Sequence, residues 1–71
     1  MIETLIRPSS NISACNYDSA TQELKIWFKN SGAYKYASVP QSVWMGLQNS
    51  SSIGEYFHRH IKGRYADEQF D

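Results

Sequence analysis

Two histidines, one cysteine and seven carboxylates are the side chains of this 71-residue chain that could ligate a metal or carry a reaction. His58 and His60 stand two apart. On a helix that spacing turns them about 200° from one another, so they cannot share an ion; only a strand would align them. Ser52-Ile53-Gly54-Glu55 has the spacing of a capping box, which argues for helix. His60 is then expected to pack beside Phe57 and Ile61, with His58 in solvent. Cys15 has no motif around it and no base fixed beside it, and reads as a small buried hydrophobe rather than a nucleophile. Glu23, Glu55, Asp67, Glu68 and Asp71 show no pairing suited to acid–base work. Glu55 and Arg59, four apart in the favourable order, read as a solvated helix pair. Asp18 is expected to bond its own turn backbone. There is no phosphate loop, nucleophile elbow or dinucleotide fingerprint. These residues point to a domain without catalysis, cofactor or metal.

Binding chemistry is better represented. Lys25, Trp27, Lys29 and Lys35 would cluster on one sheet face if the strands pair as argued below. A flat aromatic ringed by lysines is the kind of platform on which unpaired bases stack. A bland reading stands beside it: Trp27 covered by Ile2, Leu5 or Ile6, with the lysines as edge protection. His58, Arg59, Lys62 and Arg64 form the densest basic stretch, able to contact phosphate oxygens, which fix position without reading sequence. Trp44 and Tyr56 are candidate anchors for a protein partner, since Trp and Tyr are favoured at interfaces. Lys25-Ile26-Trp27-Phe28-Lys29-Asn30 has a superficial likeness to a homeodomain recognition helix. The likeness fails, because Ser31-Gly32 follows it and a strand precedes it.

The elements that must position these side chains are short. Arg7-Pro8-Ser9-Ser10 is a turn-like break after an apolar lead. Ile12 to Tyr17 reads as a first strand and Asp18-Ser19-Ala20-Thr21 as a turn. Gln22 to Lys29 alternates, with Leu24, Ile26 and Phe28 on one face and Glu23, Lys25, Trp27 and Lys29 on the other. Asn30-Ser31-Gly32 signals a hairpin, and Ala33 to Val39 is the third strand. A three-residue loop with Gly32 in the left-handed position pairs Lys29 with Ala33, Phe28 with Tyr34 and Ile26 with Tyr36. A two-residue Ser31-Gly32 loop would pair Phe28 with Lys35 and drive the lysine into the core, so the first register is preferred. Tyr34 and Tyr36 then face inward, while Trp27 and Lys35 face outward. Pro40 suits the first turn of a helix carrying Val43, Trp44 and Leu47 on one side, weakened by Gly46. Ile53, Phe57 and Ile61 make the apolar stripe of a second helix, which Gly63 can close. Residues 66–71 are an acidic tail expected to fray.

Bulk properties agree. The length allows one domain. A single cysteine excludes an internal disulfide, so aliphatics and the two Trp, five Tyr and three Phe must build the core. Seven Lys+Arg balance seven Asp+Glu. Zero net charge counts against bulk electrostatic capture of nucleic acid, though not against a local patch. No apolar run approaches the ~20 residues of a membrane span. Met1 to Ile6 lacks the lead-in of a signal peptide. A cytoplasmic protein is the expectation.

The order and spacing of these residues resemble the KTSC domain family, a module named for its place at the C-terminus of some lysyl-tRNA synthetases and also found free-standing in bacteria and phages. The resemblance runs through Ser10, Ile12, Tyr17-Asp18, Leu24, Ile26 and Phe28. It continues through Gly32, Tyr34-Lys35-Tyr36, Val39-Pro40, Val43 and Leu47, and ends with Ser52, Gly54, Tyr56-Phe57, Ile61 and Tyr65. It covers about residues 9–65, leaving a 1–8 lead that can add an edge strand and the 66–71 tail. The family carries no established enzyme activity; RNA binding is inferred by association with the synthetase.

The expected fold is α+β: a three-stranded antiparallel meander with two C-terminal helices packed on one face. Leu24, Ile26, Phe28, Tyr34, Tyr36, Val39, Val43, Leu47, Ile53, Phe57 and Ile61 are its expected core. The expected function is a small non-enzymatic binding module for RNA. The competing reading is a protein-interaction module, such as a phage or bacterial modulator of a larger machine with a host or cellular protein as partner. A homodimer is a third.

Overall fold

Alternating apolar residues build the sheet. The computed structural model describes residues 2–6 and 11–71, so the expected turn at Arg7-Pro8-Ser9-Ser10 lies outside the described residues. Five antiparallel strands form one sheet: β1 (Ile2–Leu5), β2 (Ile12–Asp18), β3 (Glu23–Phe28), β4 (Gly32–Tyr36) and β5 (Asp67–Gln69). Strand order follows chain order, but α1 (Gln41–Asn49) and α2 (Ile53–His60) intervene before β5. The α+β class and both helices are as expected, while the sheet has five strands rather than three. The two additional strands are the lead and the tail. Residues 67–69, expected to fray, pair with β4 instead: Lys35 lies opposite Glu68 and Tyr36 opposite Asp67.

The hairpin register differs from expectation by two residues. Phe28 pairs with Gly32, Ile26 with Tyr34 and Leu24 with Tyr36. The pleat has a period of two, so the shift leaves every side chain on its expected face. Gly32 has φ +77°, as its left-handed position requires. A Cβ there would also collide with the Asp71 carbonyl, because the C-terminal residues return against this turn. The Ala33 amide donates to Asp71 O (3.1 Å) and the Phe70 amide to Ala33 O (2.9 Å).

β2 shows how a parity conflict is resolved. Ile12 and Cys15 are three apart and would face opposite ways in a regular strand. The register slips between Ile12 and Ala14, leaving Ser13 as an extra residue. Such a bulge lets two residues oppose one on the partner strand. Ile12, Cys15 and Tyr17 all become fully buried. The Ser13 hydroxyl satisfies the irregular spot by donating to Trp27 O at 3.1 Å.

The core lies between the inner sheet face and the helices. Leu24, Ile26, Val39, Leu47 and Ile61 are fully buried there, with Ile53 and Phe57 close to it. Phe28, Tyr34 and Val43 pack against it half-buried. Tyr17 donates its phenol to Val39 O at 2.6 Å, and the Val39 amide donates to Gln22 O at 2.9 Å. These bonds tie the approach to α1 onto the β2–β3 turn. Asp18 caps that turn by accepting from the Ala20 amide (2.9 Å), as its residue type implies.

Both helices begin where the sequence indicates. Pro40 sits at the N-cap of α1 rather than in its first turn. Ser52 caps α2 through the Glu55 amide at 3.3 Å. The Glu55 carboxylate does not complete the box; it meets Arg59 at 3.3 Å. Gly46 is explained by packing: a Cβ there would collide with the Tyr56 hydroxyl and lie 2.6 Å from its ring carbon. The absence of a side chain lets Tyr56 of α2 lie directly on α1. No helix among the described residues is long and apolar enough to cross a membrane.

Candidate functional site

The strand pairing brings Lys25, Trp27 and Lys35 to the outer face of the sheet, as expected. Lys25 and Lys35 lie directly opposite each other. Like charges so placed repel, and each has an acidic neighbour: Lys25 Nζ is 3.8 Å from Glu23 and Lys35 Nζ is 3.1 Å from Glu68. Lys29 does not join them, because β3 ends at Phe28 and Lys29 falls in the exposed turn. Nor is Trp27 an open platform. Phe70 of the tail packs edge-on against it, with centroids 5.7 Å apart and planes at 87°. Lys25 Nζ lies 5.7 Å from the same Phe70 ring. A residue found against Trp27 thus comes from the tail, which the sequence expectation left frayed.

Trp44 is not a surface anchor. It is fully buried and stacks on Tyr17 with centroids 5.3 Å apart and planes at 15°. Its Nε1–H is buried with no hydrogen-bond partner. Tyr17 supplies the flat ring beneath it, and the apolar face of α1 turns the indole inward with Leu47. Tyr56 remains half-buried, pressed on Gly46 and against His60 at 4.4 Å between centroids. His60 was expected beside Phe57 and Ile61; it is exposed and lies on Tyr56. His58 instead meets the edge of Phe57 at 5.7 Å. The two histidines therefore diverge. Among the described residues no group of three or more His, Cys, Asp or Glu could hold a metal. Cys15 is fully buried, and burial pushes its thiol up to about 12, which suppresses the thiolate a nucleophile needs.

The basic stretch divides. Arg59 pairs with Glu55, and Arg64 Nε donates to Arg59 O at 2.9 Å. His58 and Lys62 turn toward a cleft of about 430 Å³ that opens between the inner sheet face and α2. Its wall is an aromatic cluster of Phe28, Tyr34, Tyr36 and Phe57. Phe28 meets Tyr34 at 5.8 Å and Phe57 at 5.4 Å, and Tyr36 meets Phe57 at 5.5 Å, all edge-to-face. Asn30 and Ser31 of the β3–β4 turn form one rim and Asp67 of β5 another. Burial, with Asp67 and then Tyr34 adding to it, pushes the Tyr36 phenol up to about 12. That phenol therefore stays a neutral donor through the physiological range.

Sequence reasoning missed this cleft. It assigned Phe57 to the core, where it is buried, and Phe28 and Tyr34 as well, which are only half-buried; it left Asn30, Ser31 and Asp67 out of any ligand site. The available signal was the crowding of four aromatic rings near one end of the inner face.

A five-stranded antiparallel sheet with two helices on one face and an aromatic cleft at their junction defines the class: a small α+β domain with a cleft between sheet and helix. The chain belongs to the KTSC domain family, whose model matches residues 8–65. It is 39% identical over 66 residues to a lysine–tRNA ligase of Trichormus variabilis, an alignment covering 92% of this chain and 12% of the ligase. It thus spans only a small part of that relative's length. A protein of Tsukamurella paurometabola is 35% identical over 57 residues, covering 80% of this chain and 85% of its own. The crystal structure of a KTSC domain protein from Yersinia pestis superposes with a TM-score of 0.94 at 27% identity, covering both chains completely.

Proposed function

We propose that this chain is a non-enzymatic, cytoplasmic binding module for RNA, engaged through the cleft side of the domain rather than the outer sheet face. The observation that carries this reading is the meeting of half-buried aromatics with His58 and Lys62 at one opening. Aromatic surface beside cationic groups is what unpaired nucleic acid requires. On the outer face, by contrast, the lysines are matched to carboxylates and Trp27 is packed against Phe70. Similarity to lysine–tRNA ligases supports a role beside tRNA, as an accessory segment rather than a reaction centre. Anisotropy titration of labelled tRNA and short single strands, at low and moderate salt, tests the reading. Salt-sensitive binding in the micromolar range or tighter is expected; its absence with every RNA would reject the proposal.

A protein partner is the second reading, favoured by one observation. Ile2 and Ile6 are 64% and 72% exposed on and beside the edge strand β1. A host or cellular protein, or a second copy of this chain, could add a strand there. Sedimentation at two concentrations distinguishes a monomer from the homodimer.

A further inference from the structure

We propose that the cleft is a pocket for a single unpaired nucleotide, with the base against Tyr34 and Phe28, the phosphate at Lys62 and His58, and Asp67 reading the base edge. This rests on the RNA reading above and specifies its site. Size comes first. A volume of about 430 Å³ lies at the small end of ligand sites. It suits one nucleotide and is too small to take in a duplex, whose recognition runs across grooves and phosphates rather than into a pocket.

The wall chemistry is the second argument. Phe28 and Tyr34 keep part of their surface uncovered, while Tyr36 and Phe57 beneath them are nearly buried. An inserted planar group gains contact on the first pair, and the second pair fixes their orientation. Across the opening, Lys62 and His58 are exposed. Among the described residues neither forms an ion pair, in contrast to Lys25, Lys35 and Arg59. A phosphate there meets donors that need not break an existing pair.

Asp67 sets the selectivity. It lies opposite Tyr36 in the β4–β5 register and lines the cleft with it, which places it at the aromatic side. An ionised carboxylate only accepts hydrogen bonds and repels phosphate. It therefore favours the base end of the ligand, and bases that present an exocyclic amine. Guanine, adenine and cytosine have one; uracil offers only its N3–H, flanked by two carbonyl oxygens that repel a carboxylate. The cleft should therefore discriminate against uracil.

Backbone-amide NMR titration decides this, using the four nucleoside 5′-monophosphates, single-stranded RNA heptamers of matching composition and an RNA duplex. Shifts are expected at Ser31, Tyr34, His58, Lys62 and Asp67, with the uridine ligands weakest and the duplex not entering. Tyr34→Leu, which keeps an apolar group on the sheet, should weaken heptamer binding about tenfold, as loss of one stacked base does. Lys62→Gln should lower the salt slope by about one. Asp67→Asn should erase the penalty on uracil. If heptamers bind but the shifts map to Lys25, Trp27 and Lys35, the pocket is wrong while the RNA reading stands. If no RNA binds, both fall. If the duplex competes as well as the single strands, or Asp67→Asn leaves the base order unchanged, the single-nucleotide pocket is overturned even with the cleft occupied.

Discussion

The two faces of the sheet carry similar residues to different ends. Each presents aromatic rings beside cationic side chains. On the outer face, Phe70 lies on Trp27 and Glu23 and Glu68 stand beside Lys25 and Lys35. On the inner face, Phe28 and Tyr34 border a cleft beside Lys62 and His58, neither of which forms an ion pair among the described residues. The difference lies in what covers each. The returning tail pairs with β4 and lays Phe70 on the outside, whereas α2 covers only part of the inside. Aromatic and basic composition alone therefore does not make a binding surface; it must also be left uncovered and unpaired.

The contrast between the two faces is tested most severely at the tryptophans, one buried on the inner face and one half-buried on the outer. Trp44→Ala should cost about 3–5 kcal/mol, because it empties a fully buried indole site. Half-buried Trp27→Ala should cost clearly less, and denaturant melts of the two variants compare them directly. Equal losses would mean that the outer face carries the fold as heavily as the inner one.

Gly32→Ala tests the junction of turn and tail. The positive φ and the collision with the Asp71 carbonyl together predict a loss of about 1–3 kcal/mol. Trp27 emission should shift to the red as Phe70 is displaced. A stable variant with unchanged emission would detach the tail from that role.

Cys15 sharpens the picture of a dry inner face through pH. Its thiol is held up at about 12 in the folded chain, against an ordinary value of 9.0. The folded state thus favours the protonated thiol. That contribution is complete below the ordinary value and declines as pH rises from there toward about 12. The loss should approach but not exceed about 1.4 kcal/mol per pH unit. Alkaline melts of Cys15→Ala should show a shallower decline than the parent. A thiol reagent at pH 8 should leave Cys15 unmodified until denaturant is added.

Smaller effects belong to the outer face. Phe70→Ala should cost about 1 kcal/mol, the worth of an edge-to-face aromatic pair, with a red shift of Trp27 alone. Glu68→Gln removes one exposed partner of Lys35 and should change stability by less than about 1 kcal/mol. If either variant raises RNA affinity strongly, the outer face is a masked site, and the contrast drawn between the two faces is incomplete.

Much of this was legible in the residues. The alternation of Leu24, Ile26 and Phe28 placed one face of β3 inward, and the inward turn of Tyr34 and Tyr36 survived a two-residue error in register because parity is what the pleat conserves. Ser52, Asp18 and Gly32 did the local work their types imply. What was not legible depended on distant partners. Trp44 looks like an exposed anchor until Tyr17, 27 positions earlier, is seen beneath it. The tail looks frayed because Asp67, Glu68 and Gln69 have little strand propensity of their own; β4 offers them an unpaired edge, and Lys35 offers Glu68 a charge.

By itself, then, the sequence determined the α+β class, the helix starts and the inward and outward side of each central strand, since period, caps and turn residues act over a few positions. Only the tertiary structure decided which Lys, Trp and Tyr residues of that pattern remain open to a ligand. Coverage is set by segments far apart in the sequence: Phe70 over Trp27, Tyr17 under Trp44, and α2 standing off from Phe28 and Tyr34 far enough to leave a cleft.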